Sequence, residues 1–397
     1  MKKPIRILHI FAPNYKSRFG GPIYRWRFYF SSWNNNEILH LVLDTKKKKL
    51  IDANEAFDFD FSDTQFIPSK FERFIWIFTL LRILIIMRKK YDLVHFHVLW
   101  WASFIIGFWS KINKIPAIYE SVLMDSDTPG GIILEKFGKL KVILLKQFKG
   151  ILSISDVIAE DYKRNGFLDH QVFTLKNSVN IDIFKPVASV NEKIKIRKKH
   201  KIPEEAKICL FVGSLIRRKG IDILLYSFYQ ALKQHPNLFL VIVGPKNTDE
   251  NPTIDKSLIS EMQEVIQSNN ITNNVFFTGL LQNKSTLIEY YQMADIFLFP
   301  SRQEGLPNVV LEAMSSGLPV IVSKLPVLES IIIHGRNGIL INIGDVNNLR
   351  DEIVNVAGNP LLAKKIGLEA REYIANNHSF DKCQNELAKI YNILVCK

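Results

Sequence analysis

Cysteine is scarce in this 397-residue chain. Cys209, Cys383 and Cys396 are scattered and show no metal-ligand spacing. That excludes a disulfide scaffold and points to a reducing compartment. Glycine (19) and proline (16) show no repetitive excess, so collagen-like and disordered classes fall away. No run reaches the 18 or so uncharged apolar residues of a membrane-spanning helix. No His, Cys and carboxylate cluster carries metal spacing, so neither metal nor cofactor is expected. The early loop FAPNYKSRFGGP lacks the glycine fingerprint of a dinucleotide site, which discounts an NAD-dependent enzyme.

What is present is an ordinary globular composition, 47% hydrophobic and 23% charged. At roughly 100–200 residues per domain, the length suits two domains. Lysine and arginine (52) outnumber aspartate and glutamate (39), giving +13 and a pI near 9.4, a field that favours anionic partners. The N-terminal MKKPIRILHIFAP is broken by Arg6 and His9 and has no small-residue cleavage site, so it reads as a first strand and not an export signal.

Two segments are unusually apolar. Phe71–Met87 (FERFIWIFTLLRILIIM) leaves Glu72, Thr79 and Lys90 on one narrow helical stripe, and Leu99–Trp109 adds three tryptophans. Such helices either flank a sheet or dock on a bilayer surface.

Short apolar runs alternate with helical patterns throughout, as in parallel α/β architecture. IRILHIF, ILHLVL, DLVHFHV, PAIYES and GILSIS come first; KICLFVG, LFLVIVG, NVFFTG, DIFLFPS, PVIVS and GILIN follow. Between them, residues 187–207 hold six Lys/Arg from Lys193 to Lys201 and show no convincing buried element. The domains are therefore expected at 1–186 and 187–377, both doubly wound, with ligand bound in a cleft at the carboxyl ends of the two sheets. The C-terminal helix, 378–397, is expected to pack back on the first domain.

The most informative stretch is DIFLFPSRQEGLPNVVLEAMSSGLPVIVS, 295–323. A strand ends at Phe299, a loop follows, and a helix begins near Pro307–Asn308 and stops at Gly317. The backbone at its start is a seat for a phosphate. Glu304 in the loop and Glu312 one turn into the helix can face one ligand, with Glu304 at a sugar and Glu312 accepting vicinal ribose hydroxyls. In FVGSLIRRKGIDILL, Arg217, Arg218 and Lys219 sit between a strand and a helix, where they would offset the charge of a departing diphosphate.

The Glu304–Glu312 spacing, VGSLIRRKG, FTG at 277–279 and NSVNIDIFKP at 177–186 together resemble the family 4 glycosyltransferases. These are retaining, nucleotide-sugar-dependent enzymes of the GT-B fold, with two Rossmann-like domains facing each other across a cleft. The resemblance implies an acceptor-binding first domain and a donor-binding second one. Position by position, it implies that Gly20 and Gly21 form the glycine loop near the donor diphosphate. Gly213, Arg217 and Lys219 would belong to the diphosphate site, with Lys219 and Arg218 neutralising charge during transfer. Glu304 would contact the transferred sugar, Gly305, Leu306, Pro307 and Asn308 the donor phosphates and sugar, Glu312 the ribose, and Gly279 and Leu281 the base. Two departures stand out. Ser214 occupies a position where many members have arginine, which Arg217 or Arg218 would replace, and Ser121 aligns with an active-site histidine. His97, at a strand end, is a candidate acceptor contact beside Ser121.

The expected activity is transfer of a hexosyl or N-acetylhexosaminyl group from a nucleotide sugar, UDP-linked before GDP-linked, to a glycan or lipid-linked acceptor in cell-envelope polysaccharide synthesis. Transfer would be metal-independent and by front-face attack. The expected setting is the cytoplasm, with peripheral contact to acidic membrane. Alternatives are a nucleotide-sugar epimerase or sugar-phosphate synthase of the same fold, or a non-enzymatic anion-binding protein. Nucleic acid is not expected as a partner, because no aromatic-interleaved basic stripe or nucleic-acid module appears.

Overall fold

A computed structural model describes the chain except residues 1–2, 12–25, 27–28, 31–32, 34–36, 45–48, 54–77, 79, 98–100, 246–253, 282 and 397. Gly20 and Gly21 therefore lie outside the described residues, as do 71–77 of the first apolar segment and Leu99 and Trp100 of the second.

The chain forms two compact units, Met1–Asn177 with Asp381–Lys397, and Ser178–Phe380. The first holds β1 (Ile5–Phe11), β2 (Ile38–Asp44), β3 (Lys49–Asp52), β4 (Leu93–His97), β5 (Ala117–Ser121), β6 (Gly150–Ser153) and β7 (Val172–Thr174), in the order β3-β2-β1-β4-β5-β6-β7. All pairings are parallel except the β2–β3 hairpin edge. The helices α1 (Trp101–Ile112), α2 (Pro129–Ile132), α3 (Gly138–Leu145) and α4 (Asp156–Arg164) connect its later strands. Residues 80–86 are also helical, with Leu80, Leu84 and Met87 buried and Ile85 and Ile86 exposed. Among the described residues no helix is long and apolar enough to cross a membrane.

The second unit begins with α5 (Val190–Lys199) and builds a fully parallel sheet from β8 (Lys207–Val212), β9 (Leu238–Val243), β10 (Val275–Gly279), β11 (Ile296–Phe299), β12 (Val320–Ser323) and β13 (Ile339–Ile341). Its order, β10-β9-β8-β11-β12-β13, is the doubly wound arrangement whose ligand crevice lies where strand order reverses, between β8 and β11. Strands β9, β11 and β12 are buried at every position, as expected of parallel strands covered on both faces. The helices α6 (Ile221–Gln234), α7 (Lys256–Ser268), α8 (Lys284–Met293), α9 (Asn308–Ser315), α10 (Pro326–Glu329), α11 (Val346–Gly358) and α12 (Pro360–Asn377) supply those covers.

The stretch expected to lack a buried element is α5, and charge alone misleads there. Ser189 caps it by accepting from the Glu192 N–H at 3.2 Å. Its Arg197 is buried because the guanidinium donates to the carbonyls of Met293, Glu204 and Ala206 and to Asp295 at 2.7 Å. A buried cation persists only when paired and fully hydrogen-bonded in this way. Lys193 adds a second cation to Asp295, so the basic run ties α5 to the start of β11.

Candidate active site

The crossing loops at the β8–β11 switch point make one cluster. After β8 the chain passes Gly213 and Ser214 into a single 3-10 turn, Arg217–Lys219, ended by Gly220 at φ +70°. A Cβ on Gly220 would stand 1.9 Å from the Pro300 carbonyl oxygen. Only glycine lets the turn lie this close to the loop after β11. That loop is stitched to the turn: the Arg302 N–H and the Ser301 hydroxyl both donate to the Arg218 carbonyl, at 2.8 and 2.9 Å.

Between them sits Glu304, 6% exposed. Its Oε1 accepts from Lys219 Nζ at 2.7 Å and Ser301 Oγ at 2.6 Å, with Arg218 Nη1 at 3.2 Å. Burial pushes the Lys219 ammonium below its usual range, opposed by the Glu304 charge. The Lys219 ammonium also lies 5.0 Å from the Phe299 ring centre. The arrangement is a buried carboxylate held by two cations. Arg218 also donates to the Gln303 carbonyl at 2.5 Å, so it, and not Arg217, stands at the carboxylate. Arg217 is turned away, paired with Glu261 at 2.7 Å and Asp255 at 3.5 Å, because α7 presents those carboxylates to it.

Helix α9 starts after Pro307 and is capped by Ser316, with Gly317 at φ +75°, where the sequence expects it. Its first N–H groups have no partner within the helix. Asn308 Oδ1 is buried with no hydrogen-bond partner among the described residues, and Gly305, Leu306 and Pro307 are buried beside it. Glu312 is 5% exposed and accepts from the Tyr291 hydroxyl at 2.8 Å. Burial raises its carboxyl to about 7, against the Tyr291 bond and the Lys284 charge. Gly213 donates to Val243, and Gly244 to Gly279 at 3.3 Å, binding the carboxyl ends of β8, β9 and β10 together. Leu281 follows Gly279, half-buried.

In the first unit, His97 and Ser121 are buried. Ser121 Oγ donates to the Asp127 carbonyl. His97 belongs to a chain of imidazoles that sequence reasoning did not assemble. Glu120 Oε2 accepts from His97 Nδ1 at 2.5 Å and Trp26 Nε1 at 2.8 Å. His97 Nε2 meets His9 Nδ1 at 2.8 Å, and His9 Nε2 meets His40 Nδ1 at 2.8 Å. His95 Nδ1 lies 2.7 Å from the Tyr391 hydroxyl. The period-2 spacing of His95 and His97 on β4 was the available signal; the register that sets His9 of β1 beside His95 was not legible in the sequence. His9, His95 and His97 bring ring nitrogens within 4.8 Å of one another. Both nitrogens of His9 and of His97 are nonetheless engaged by neighbouring side chains, so the group is organised as a hydrogen-bonded chain. Burial holds His9 well below its usual range and His40 at about 3, so these rings are neutral.

Two Asp-x-Asp triplets also occur in the sequence, a spacing able to grip a cation. Asp58 and Asp60 lie outside the described residues. Asp127, of the pair Asp125 and Asp127, caps its own loop by accepting from the N–H groups of Val122 and Leu123 at 3.3 and 3.0 Å. Tyr291, Ser301 and Arg302, the last paired with Asp222 at 2.7 Å, also escaped the sequence reading. Tyr291 comes from α8, whereas Ser301 and Arg302 are neighbours in the loop after β11.

The family profile described as glycosyl transferases group 1 matches residues 192–373. An uncharacterized glycosyltransferase, MJ1607 of Methanocaldococcus jannaschii, is 25% identical over 308 residues, 77% of this chain and 76% of that protein. The capsular polysaccharide biosynthesis glycosyltransferase CapM of Staphylococcus aureus is 26% identical over 195 residues, 49% of this chain and about half (48%) of CapM. Among solved structures, Anabaena HepE in complex with UDP and glucose superposes with a TM-score of 0.75 at 17% identity, covering 97% of this chain and 98% of that one. Residues 192–373, within the second unit, thus carry the group 1 glycosyltransferase profile, and the chain is built on the GT-B fold of these solved structures.

Proposed function

We propose that this enzyme transfers a sugar, with retained configuration and without a metal ion, from a UDP-sugar to a glycan or lipid-linked acceptor of a cell-envelope polysaccharide. The observation that carries the reading is the Lys219–Glu304–Arg218 cluster at the switch point of the second unit. On donor binding, Lys219 and Arg218 turn to the diphosphate and neutralise the leaving charge, the work a divalent cation would otherwise do. Glu304, already aimed by Ser301, meets the transferred sugar. The start of α9 receives a phosphate, and Glu312 accepts the ribose hydroxyls, replacing lost water with two donors. Gly213, Gly279 and Leu281 approach the donor through their backbone. The departing phosphate takes the acceptor proton as the acceptor oxygen attacks the same face. UDP and glucose in the HepE structure and the capsule role in CapM's name support the donor and the pathway. A lipid-linked acceptor would place the enzyme at the inner membrane face.

The test is a thermal-shift and turnover series with UDP- and GDP-sugars, with and without EDTA, followed by proton NMR of the product anomer. A UDP-selective rise in Tm that survives EDTA, with retained configuration, is expected. An inverted product, or turnover abolished by EDTA and restored by magnesium, would overturn the mechanism. Turnover with a soluble hexose phosphate in place of a glycan would move the protein to the sugar-phosphate synthases.

A further inference from the structure

The first unit carries a basic site of its own. A cavity of about 540 Å³ lies at the amino ends of β5, β6 and β7, lined by Lys111, Lys114, Lys146, Lys149, His170 and Ser110 among others. No carboxylate lines it. Ser110 is 2% exposed and its Oγ makes no hydrogen bond among the described residues, so a buried donor faces a pocket of ammonium groups. This is the chemistry of a phosphate seat: several cations and a hydroxyl, with no competing anion.

Helix α1, which ends at the cavity, and α3, which runs into its lining residues Lys146–Lys149, present an apolar face to solvent. On α1, Ile105, Phe108 and Ile112 form one stripe; on α3, Leu140 and Ile143 form another; α1 and α3 pack together. Phe137, 70% exposed, holds a left-handed backbone at φ +60° just before α3. Residues 133–149 hold five lysines and a single carboxylate, Glu135, which is paired with Lys141. A large exposed apolar patch rimmed by one sign of charge marks a docking surface. Aliphatic and aromatic side chains backed by lysines are what a bilayer interface with anionic headgroups accepts.

We infer that the first unit docks on an anionic bilayer, the α1–α3 stripe entering the interface and the lysine cavity holding the phosphate of a phospholipid headgroup. This deepens, and rests on, the reading of an envelope acceptor at a membrane. Unlike the donor site, it lies at the opposite edge of its sheet from the carboxyl ends.

The test is flotation of the full chain with phosphatidylcholine vesicles containing or lacking phosphatidylglycerol, with the UDP-induced Tm shift measured in parallel. Binding only to phosphatidylglycerol vesicles is expected, lost in Phe108→Ser/Ile112→Ser and weakened roughly thirtyfold in Lys146→Gln/Lys149→Gln. Phe137→Gly should weaken flotation while leaving Tm unchanged, since glycine relaxes the left-handed backbone. Equal binding to both vesicle types would overturn the inference. So would flotation indifferent to Lys146 and Lys149, which would leave them as partners of helix carboxyl ends only. Full competition by millimolar-range glycerol 3-phosphate or inorganic phosphate would reassign the cavity to a small soluble phosphate. A flotation defect with the UDP shift intact fails here alone; flotation intact with no nucleotide shift fails the transferase reading alone.

Discussion

The two units share a doubly wound strand order yet fill the centre of their sheets with opposite chemistry. In the second, Lys219, Arg218 and Glu304 stand at the switch point as charges. In the first, His9, His40 and His97 run across the central strands as buried rings ending on Glu120, and burial keeps His9 and His40 neutral. Charges that can exchange partners suit a site where a diphosphate comes and goes. A hydrogen-bonded chain of buried rings suits a framework that must hold still, because breaking any of its links would strand a buried polar atom. The fold therefore fixes where chemistry can occur without saying which unit performs it; the side chains at the crossover decide.

The sharpest way to break this comparison is Lys219→Ala. It removes the cation nearest Glu304 and should lower kcat with a UDP-sugar roughly 10³-fold, as expected when a group stabilising developing charge is deleted. Circular dichroism should stay native, since Arg218 and Ser301 still satisfy Glu304. A loss below tenfold would move the neutralising role elsewhere. The converse variant in the first unit, Glu120→Ala, should act on stability. It strands the Trp26 N–H and the His97 ring in the core, at a cost of about 3 kcal/mol read by urea denaturation, with the UDP-induced Tm shift retained.

A titration sharpens the contrast by sign. His9 and His40 face one another and His95, His97, Trp26 and Phe30, and their folded values lie below the unfolded value near 6.5. Their contribution is complete above about pH 6.5 and is lost as pH falls toward their folded values. Each adds a slope of about 1.4 kcal/mol per pH unit over that window. Glu312 runs the other way: with its folded value raised to about 7, its contribution is complete below the unfolded value and is lost as pH rises through 7. Glu312→Gln should thus stabilise the protein at pH 8 by about 3 kcal/mol while weakening UDP binding. A buried carboxylate kept at such a cost is the mark of a site maintained for its ligand. Unchanged stability at pH 8 would mean that water reaches the carboxylate.

How much of this the sequence carried depends on whether a feature is local. The strand, loop and helix of 295–317 lie consecutively, so their bounds and the positions of Glu304 and Glu312 were legible from periodicity, Pro307 and Gly317. The meeting of Lys219 with Glu304 spans 85 residues and came from resemblance alone. The imidazole chain draws on β1, β2, β4 and β5, and no periodicity connects His9 to a partner 88 residues away. Residues 187–207 failed for a third reason. Composition counts Arg197 as polar, whereas Asp295 and three carbonyls make it a core residue.

The smallest effect separates two neighbours that sequence reasoning could not. Arg217 and Arg218 were equal candidates for the charge missing at Ser214. Arg218 reaches Glu304, while Arg217 is exposed and pairs with Glu261 and Asp255. Exposed pairs of that kind contribute about 0–1 kcal/mol. Arg217→Ala should therefore cost under 1 kcal/mol of stability and change kcat/KM for the UDP-sugar less than threefold, whereas Arg218→Ala should lower it by about tenfold or more. The reverse ranking would mean that donor binding swings Arg217 off α7 and into the site, and the charge replacing Ser214 would then belong to a residue that moves.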